Sequence, residues 1–333
     1  MKHGANIYKY AKKIGCEPED MLDFSSNINA YQKEIQVKLS SSLIQKYADS
    51  SYSELKEVVA KRYSIKTEQI ALFNGATSAI FALFSSLKAK SVYLYAPLYG
   101  EYEKAAVATK KHIYKINRLA ENPYIPEDDS IVVFVNPSTP EGYYEEDLAE
   151  MMQEWIERDC TIVIDESFLE FEALASMREQ INKYKRLYII QSFSKFYGCA
   201  GVRIGAIFAH KKAIKKLQIP LWNISSLDSA FLQERMADEA FVEQSLLFQK
   251  VQKAELIEIL ESSKLFDDIV ESESNFILTH SLRAEEIFKH LLEHKILVRS
   301  CGSFDYLSNE WLRFGVKDVT MHKRLQEALL ALA

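Results

Sequence analysis

The stretch Leu187–Phe208, LYIIQSFSKFYGCAGVRIGAIF, sets one lysine where few chemistries need one. Leu187, Tyr188, Ile189 and Ile190 form a short apolar run that reads as a buried strand, and Gln191-Ser192-Phe193-Ser194 carries the chain off its end into a polar loop. Lys195 therefore falls at the carboxyl end of a strand. Beyond it, Gly198 and Gly201 permit tight backbone, and Arg203 follows eight residues after the lysine, ahead of a second apolar run, Ile204 to Ala209. A lysine amine condenses with an aldehyde to a Schiff base, and a guanidinium with two hydroxyls, Ser192 and Ser194, can hold a phosphate. Those are the requirements of pyridoxal phosphate (PLP). Taken alone, the string also suits a solvated loop lysine, because short motifs recur by chance.

Two other stretches weigh against the solvated lysine. Thr161 to Ile164 reads as another buried strand, ending in Asp165-Glu166-Ser167-Phe168. A carboxylate there, thirty residues before Lys195, can pair with a protonated pyridine nitrogen and keep the ring an electron sink. The apolar run Gln69 to Phe73 leads into Asn74-Gly75-Ala76-Thr77-Ser78 and a helix expected over Ala79 to Leu87. A strand, a glycine turn and a helix amino terminus make an anion site, because free backbone N–H groups and the helix dipole both favour phosphate. With Arg203 and Ser192 the phosphate cup is complete.

The set Lys195, Arg203 and Asp165 resembles the fold-type-I PLP enzymes. Within them it resembles the branch shared by histidinol-phosphate aminotransferase and the L-threonine-O-3-phosphate decarboxylase of cobalamin synthesis, from His3-Gly4-Ala5-Asn6-Ile7-Tyr8 to Leu312-Arg313-Phe314. The resemblance implies an α/β fold with a mainly parallel, seven-stranded sheet and a smaller α/β domain, and a homodimer with shared active sites. It puts Gly75, Ala76 and Thr77 in the phosphate cup and the ring of Tyr99, with Tyr102 as the alternative, on the pyridine face. It takes Tyr47 across the dimer interface to the neighbour's cofactor phosphate, although Tyr47 also reads as a core aromatic. It also implies substrate contacts from His3, Asn27, Arg299 and Arg313, the last as a fork for a carboxylate. Asn136-Pro137-Ser138-Thr139-Pro140-Glu141-Gly142 matches the family's Asn-Pro-Asn-Asn-Pro-Thr-Gly turn, with Thr139 where an asparagine bonds the cofactor's phenolic oxygen. Phe168 stands where the aminotransferases usually carry tyrosine, and phenylalanine cannot donate. That second departure leans toward the decarboxylase branch. The implied reaction is PLP-dependent decarboxylation of a phosphorylated amino acid, L-threonine O-3-phosphate first and serine O-phosphate next. Transamination of histidinol phosphate is the alternative, and a weakly catalytic PLP-binding regulator is a reading of another class.

Composition sets the outer bounds. The 333 residues are 48% hydrophobic and 26% charged, which is ordinary for a globular chain with one large and one smaller domain. The expected division is 31–218 for the large domain, with 1–30 and 219–333 forming the small one. A net charge of −6 argues against a nucleic-acid partner, and no run approaches the roughly 18 apolar residues of a membrane helix. The first residues lack the apolar core of a secretory signal, so a cytoplasmic location is expected. Cys16, Cys160, Cys199 and Cys301 have no C-x-x-C spacing, and His290 and His294 sit in a charged helix as surface residues, so no metal site is expected.

Overall fold

The computed structural model describes residues 6–35, 41–120 and 125–333. Its thirteen strands, in chain order, are β1 (Leu22–Asp23), β2 (Ile70–Phe73), β3 (Ser91–Ala96), β4 (His112–Asn117), β5 (Ile131–Val135), β6 (Thr161–Asp165) and β7 (Leu187–Ser192), then β8 (Gly205–Ala209), β9 (Asp268–Val270), β10 (Phe276–His280), β11 (Ile296–Leu297), β12 (Arg299–Ser300) and β13 (Trp311–Gly315). Seven of them form one sheet in the order β2-β8-β7-β6-β5-β3-β4. β8 runs antiparallel to both its neighbours, and the other pairings are parallel.

The sequence explains the sheet's burial. β5 and β8 are apolar throughout, β6 and β7 are apolar but for Thr161, Asp165, Gln191 and Ser192 at their ends, and all four are buried at every position, as strands covered on both faces must be. Alternate side chains feed two cores: Ile162, Ile164, Leu187 and Ile189 enter one, while Val163, Tyr188 and Ile190 enter the other. The edge strand β4, with His112, Tyr114 and Lys115, is only partly buried. The parallel order turns the carboxyl ends of β2, β5, β6 and β7 to one side of the sheet, which is where open α/β sheets bind ligands.

The second sheet is antiparallel, in the order β12-β13-β10-β9, and β1 pairs with β11 in parallel. Phe24 joins Ile277, Leu312 and Phe314 in its core, so the amino-terminal segment packs with the carboxyl-terminal third. The helix Ile7–Ile14 ends on Gly15 in the left-handed conformation, and its Ala11 packs against Leu292 and Leu297. The 25-residue helix Glu239–Ser263 links the two regions: Phe241 and Val242 enter the large sheet's core, while Leu256, Ile259 and Leu260 enter the small one's.

One local expectation is corrected: the helix after β2 begins at Gly75 and not at Ala79, directly on the glycine turn. Ser53 is the first residue of the helix Ser53–Tyr63, and Asp49 accepts its backbone N–H at 2.9 Å, so the aspartate four residues upstream holds that terminus. The helices Ser226–Ala237 and Glu239–Ser263 meet at Asp238, whose carboxylate caps the second by accepting from the Phe241 N–H at 3.1 Å. β1 is only two residues long because the Asp23 carboxylate accepts from the Ser25 backbone N–H and folds the chain away.

Candidate active site

The carboxyl ends of the central strands open into a cavity of about 350 Å³. Ser25, Ser26 and Asn27 form one wall, Ala76, Thr77, Ser192, Ser194 and Arg203 another, and Asp165 and Lys195 lie between them. Thr139, Phe168, Arg299, Phe304 and Arg313 complete the lining.

The anion cup is built from backbone. Gly75 has φ +74°, a conformation costly for other residues, and a Cβ on it would come within 2.8 Å of Arg203 Nη2. Gly205 on β8 allows the turn to sit against the sheet, since a Cβ there would meet Ala76 N at 2.4 Å. Asn74 makes no side-chain cap, which leaves the first N–H groups of the helix Gly75–Ser86 for an anion. Among the described residues no carboxylate pairs with Arg203, whose Nη1 donates only to the Ala200 carbonyl at 3.1 Å. Ser192 Oγ and Ser194 Oγ are 3.1 Å apart, and Tyr99 Oη is 3.2 Å from Thr77 Oγ1.

Asp165 is the buried acid at the end of β6. Tyr102 donates to its Oδ2 at 2.7 Å and the Ser167 N–H to its Oδ1 at 3.0 Å. Burial raises its carboxyl above the usual range, against the pull of Ser167, Tyr102 and Lys195. A carboxylate in that state is a strong acceptor for a cation's proton. The alternative ring partner Tyr102 is fully buried behind Asp165, and Tyr99 is the tyrosine that lines the cavity. Glu166, one residue on, points elsewhere: it accepts from Ser176 Oγ, the Met177 N–H and Arg178.

Lys195 lies in the short helical turn Phe193–Phe196, its Nζ 5.8 Å from the centre of the Phe168 ring. Burial, then Arg313 and Arg203, lower its ammonium to about 8 despite Asp165. Its loop is latched to the opposite wall, because Asn29 donates from its backbone to Lys195 O at 2.9 Å and from Nδ2 to Phe196 O at 2.8 Å. That wall has no proline or glycine after Asn29. Gln32 Nε2 instead folds back on Asn29 O at 3.1 Å, while Tyr31 packs against Phe241 and Phe248.

Arg299 and Arg313 are cross-strand partners on β12 and β13. Arg313 Nη1 donates to Thr139 Oγ1 at 3.0 Å and Nη2 to Ser25 O at 3.3 Å, over the Phe276 ring at 4.8 Å. Its buried Nε has no partner, and burial lowers the guanidinium to about 10. Arg299 donates to Ser303 Oγ at 2.8 Å and lies 5.2 Å from the Phe304 ring centre. Thr139 is thus engaged with the clamp, and Phe168, packed edge-on against Phe276, offers no donor. Asn27 lines the cavity with its Oδ1 buried and unpartnered.

The family called aminotransferase class I and II matches residues 19–331. The chain belongs to that family. Its fold is the fold-type-I architecture and its cofactor is pyridoxal 5′-phosphate. The cup cradled by Gly75 and Gly205, the buried Asp165 and the amine of Lys195 fit that cofactor. The chain is 29% identical to the adenosylcobalamin biosynthesis bifunctional protein of Leptospira interrogans, with 98% of this chain aligned but only 40% of that one. It is 24% identical to the threonine-phosphate decarboxylase of Salmonella typhimurium, over 98% of this chain and 95% of that one. A solved histidinol-phosphate aminotransferase from Sinorhizobium meliloti, in complex with PLP, superposes with a TM-score of 0.81 at 17% identity, covering 100% of this chain and 96% of that one.

Within the family frame, the cavity gathers Gly75's turn, Ala76, Thr77, Tyr99, Thr139, Asp165, Ser192, Ser194, Lys195, Arg203, Asn27, Arg299 and Arg313. It does not gather Tyr47, which is 80% exposed and stacks on Trp222 with ring centres 4.5 Å apart, so the core-aromatic alternative for Tyr47 is wrong. His3 lies outside the described residues. Sequence reasoning missed Ser26, Ser167, Phe304 and Lys317. Ser167 was legible as the residue two beyond Asp165, and Phe304 as the aromatic after Arg299. Lys317 and Ser26 meet only through folding, and no local pattern announces them.

Proposed function

We propose that the chain is a PLP-dependent decarboxylase of a phosphorylated amino acid, with L-threonine O-3-phosphate as its substrate and an aminoalkyl phosphate and carbon dioxide as products. One observation carries the reading. Two guanidiniums directly opposite each other on β12 and β13 face a cavity whose lining carboxylate is Asp165 alone among the described residues. A phosphoamino acid brings two anionic groups at once, which is what a paired fork binds. The names of the Leptospira and Salmonella relatives support the same direction.

Bound in this cavity, PLP supplies an aldehyde that condenses with amines and a ring that accepts an electron pair. The chain's residues do the rest. Ala76, Thr77, Ser192, Ser194 and Arg203 hold the cofactor's phosphate, Tyr99 covers the ring face, and Asp165 keeps a proton on the ring nitrogen, with Tyr102 and Ser167 orienting the acid. Lys195 would hold the cofactor through its amine, and the same amine is the group placed to carry a proton to and from the substrate's Cα. Arg313 and Arg299 would share the substrate's carboxylate and phosphate, with Asn27 beside them. Tight neutralisation of the departing carboxylate would oppose its loss, so the phosphate supplies much of the binding energy. The proposal extends to a cytoplasmic homodimer in which Tyr47 serves the neighbouring subunit. It also sets a large domain over about 31–218 against a smaller one from 1–30 and 219–333.

The test offers purified enzyme phosphothreonine, phosphoserine, and histidinol phosphate with 2-oxoglutarate, following carbon dioxide and glutamate separately. Carbon dioxide from phosphothreonine, with unphosphorylated threonine a poor substrate, is expected. Glutamate from histidinol phosphate without carbon dioxide from either phosphoamino acid would replace this reading with transamination.

A further inference from the structure

Lys317 stands two residues beyond β13 and is 5% exposed. Its Nζ donates to the Ser26 carbonyl at 3.0 Å and to Ser26 Oγ at 3.3 Å, and Ser26 lines the cavity. Among the described residues no carboxylate forms an ion pair with this ammonium. Asp23 from β1 and Asp318 beside it face it with opposite charge, while Arg313 from β13 and Lys195 across the cavity face it with the same charge. On the helix Val319–Leu330, His322 accepts from the Lys317 backbone N–H at 3.1 Å and lies 3.0 Å from Glu255. A buried ammonium without an ion pair is costly, more so beside the Arg313 guanidinium, unless an anion arrives to share the charge.

The contact has no slack. Gly315 N donates to Phe24 O at 2.7 Å, and a Cβ at Gly315 would come within 2.4 Å of Ser26 O. Arg313 Nη2 holds Ser25 O one residue before. The end of β13 and the Ser25–Asn27 wall therefore shift together or not at all. We propose that Lys317 is a positioning residue for the substrate's phosphate: through Ser26 it fixes the Ser25–Asn27 wall, and its charge makes the cavity select a dianionic group. This rests on the phosphorylated-substrate reading above.

The charge has a pH signature. Burial, with Arg313 adding to it and Asp23 and Asp318 opposing, lowers the ammonium to about 8. Lys317 is therefore charged below about pH 8 and neutral above it, so phosphate binding weakens as pH rises through that value.

The experiment compares holoenzyme of the parent, Lys317→Arg and Lys317→Met between pH 6.5 and 9.5. It measures inhibition by inorganic phosphate, and KM and kcat for phosphothreonine and threonine. The parent's phosphate inhibition constant is expected to rise above about pH 8, approaching tenfold per unit for one proton. Lys317→Arg keeps tight binding without that inflection. Lys317→Met loses about ten- to a hundredfold in phosphate affinity at pH 7, the size of one charge-assisted hydrogen bond, and its affinity is flat with pH while kcat changes little. A Lys317→Met enzyme that still prefers phosphothreonine by the parent's margin overturns the proposal alone, as does an inflection that persists in Lys317→Arg. A parent with equal KM for threonine and phosphothreonine overturns the underlying reading, and the proposal with it.

Discussion

Lys195 and Asp165 work by being in each other's surroundings. Three cations and burial bear on the amine, and the one acid beside it does not restore its ordinary basicity. The neutral, nucleophilic form is thus a far larger fraction near neutral pH than for an ordinary lysine. Capture of PLP by the cofactor-free protein should accelerate as pH rises toward about 8 and level off beyond it, as followed by the appearance of violet absorbance. Borohydride should then fix the cofactor to Lys195, and mass spectrometry of Lys195→Ala treated in the same way should find no covalent cofactor. Asp165→Asn should keep the fold and lose most activity, since an amide cannot hold a proton on the ring nitrogen by charge. Glu166 is committed to Arg178 and will not substitute. Tyr102→Phe is the milder variant. It removes one donor from a buried carboxylate, a loss of about 1–3 kcal/mol, and should show as weaker activity with the cofactor still bound.

At the scale of elements, legibility followed burial and locality. β5 and β8 are continuous apolar runs, and β6 and β7 have apolar centres closed by polar residues, so their ends, and with them Lys195 and Asp165, could be read from the chain. The carboxyl-terminal sheet was legible as strands, yet its register, which sets Arg299 against Arg313, depends on contacts between distant segments. Asp49 holds the start of the helix Ser53–Tyr63 from four residues upstream, a reach that the usual cap spacing does not announce. Ser26 and Lys317 are 291 residues apart, so neither could be assigned from its neighbours. The paired strands carry a prediction: Arg299→Ala and Arg313→Ala should each lower kcat/KM for phosphothreonine by about 2–5 kcal/mol, the penalty for truncating one partner of a buried charge pair. β8 carries another. Gly205→Ala puts a methyl where the Gly75–Ala76 turn must lie, so PLP affinity should fall markedly while the melting temperature of the cofactor-free protein falls only modestly. Unchanged affinity would remove Gly205 from the account of the cup.

For the molecule as a whole, the exposed pair Tyr47 and Trp222, with Leu221 beside them, is an apolar patch of the kind that marks association. The double variant Tyr47→Ala, Trp222→Ala should shift sedimentation toward monomer and loosen the cofactor together; a monomeric variant with full PLP affinity would separate Tyr47 from the neighbouring site. The wall of residues 24–29 has a different consequence. Phe24 and Ser25 are fastened to Gly315 and Arg313, and Asn29 to Lys195 and Phe196, so the cavity is closed by contacts between segments far apart in sequence. On a ribosome the large sheet can form once β8 has emerged, but its ligand-binding side stays open until β13 has followed. A growing chain therefore passes through a stage with Lys195 already in place and no enclosure around it, and the enclosure that retains the cofactor forms only once β13 has been added.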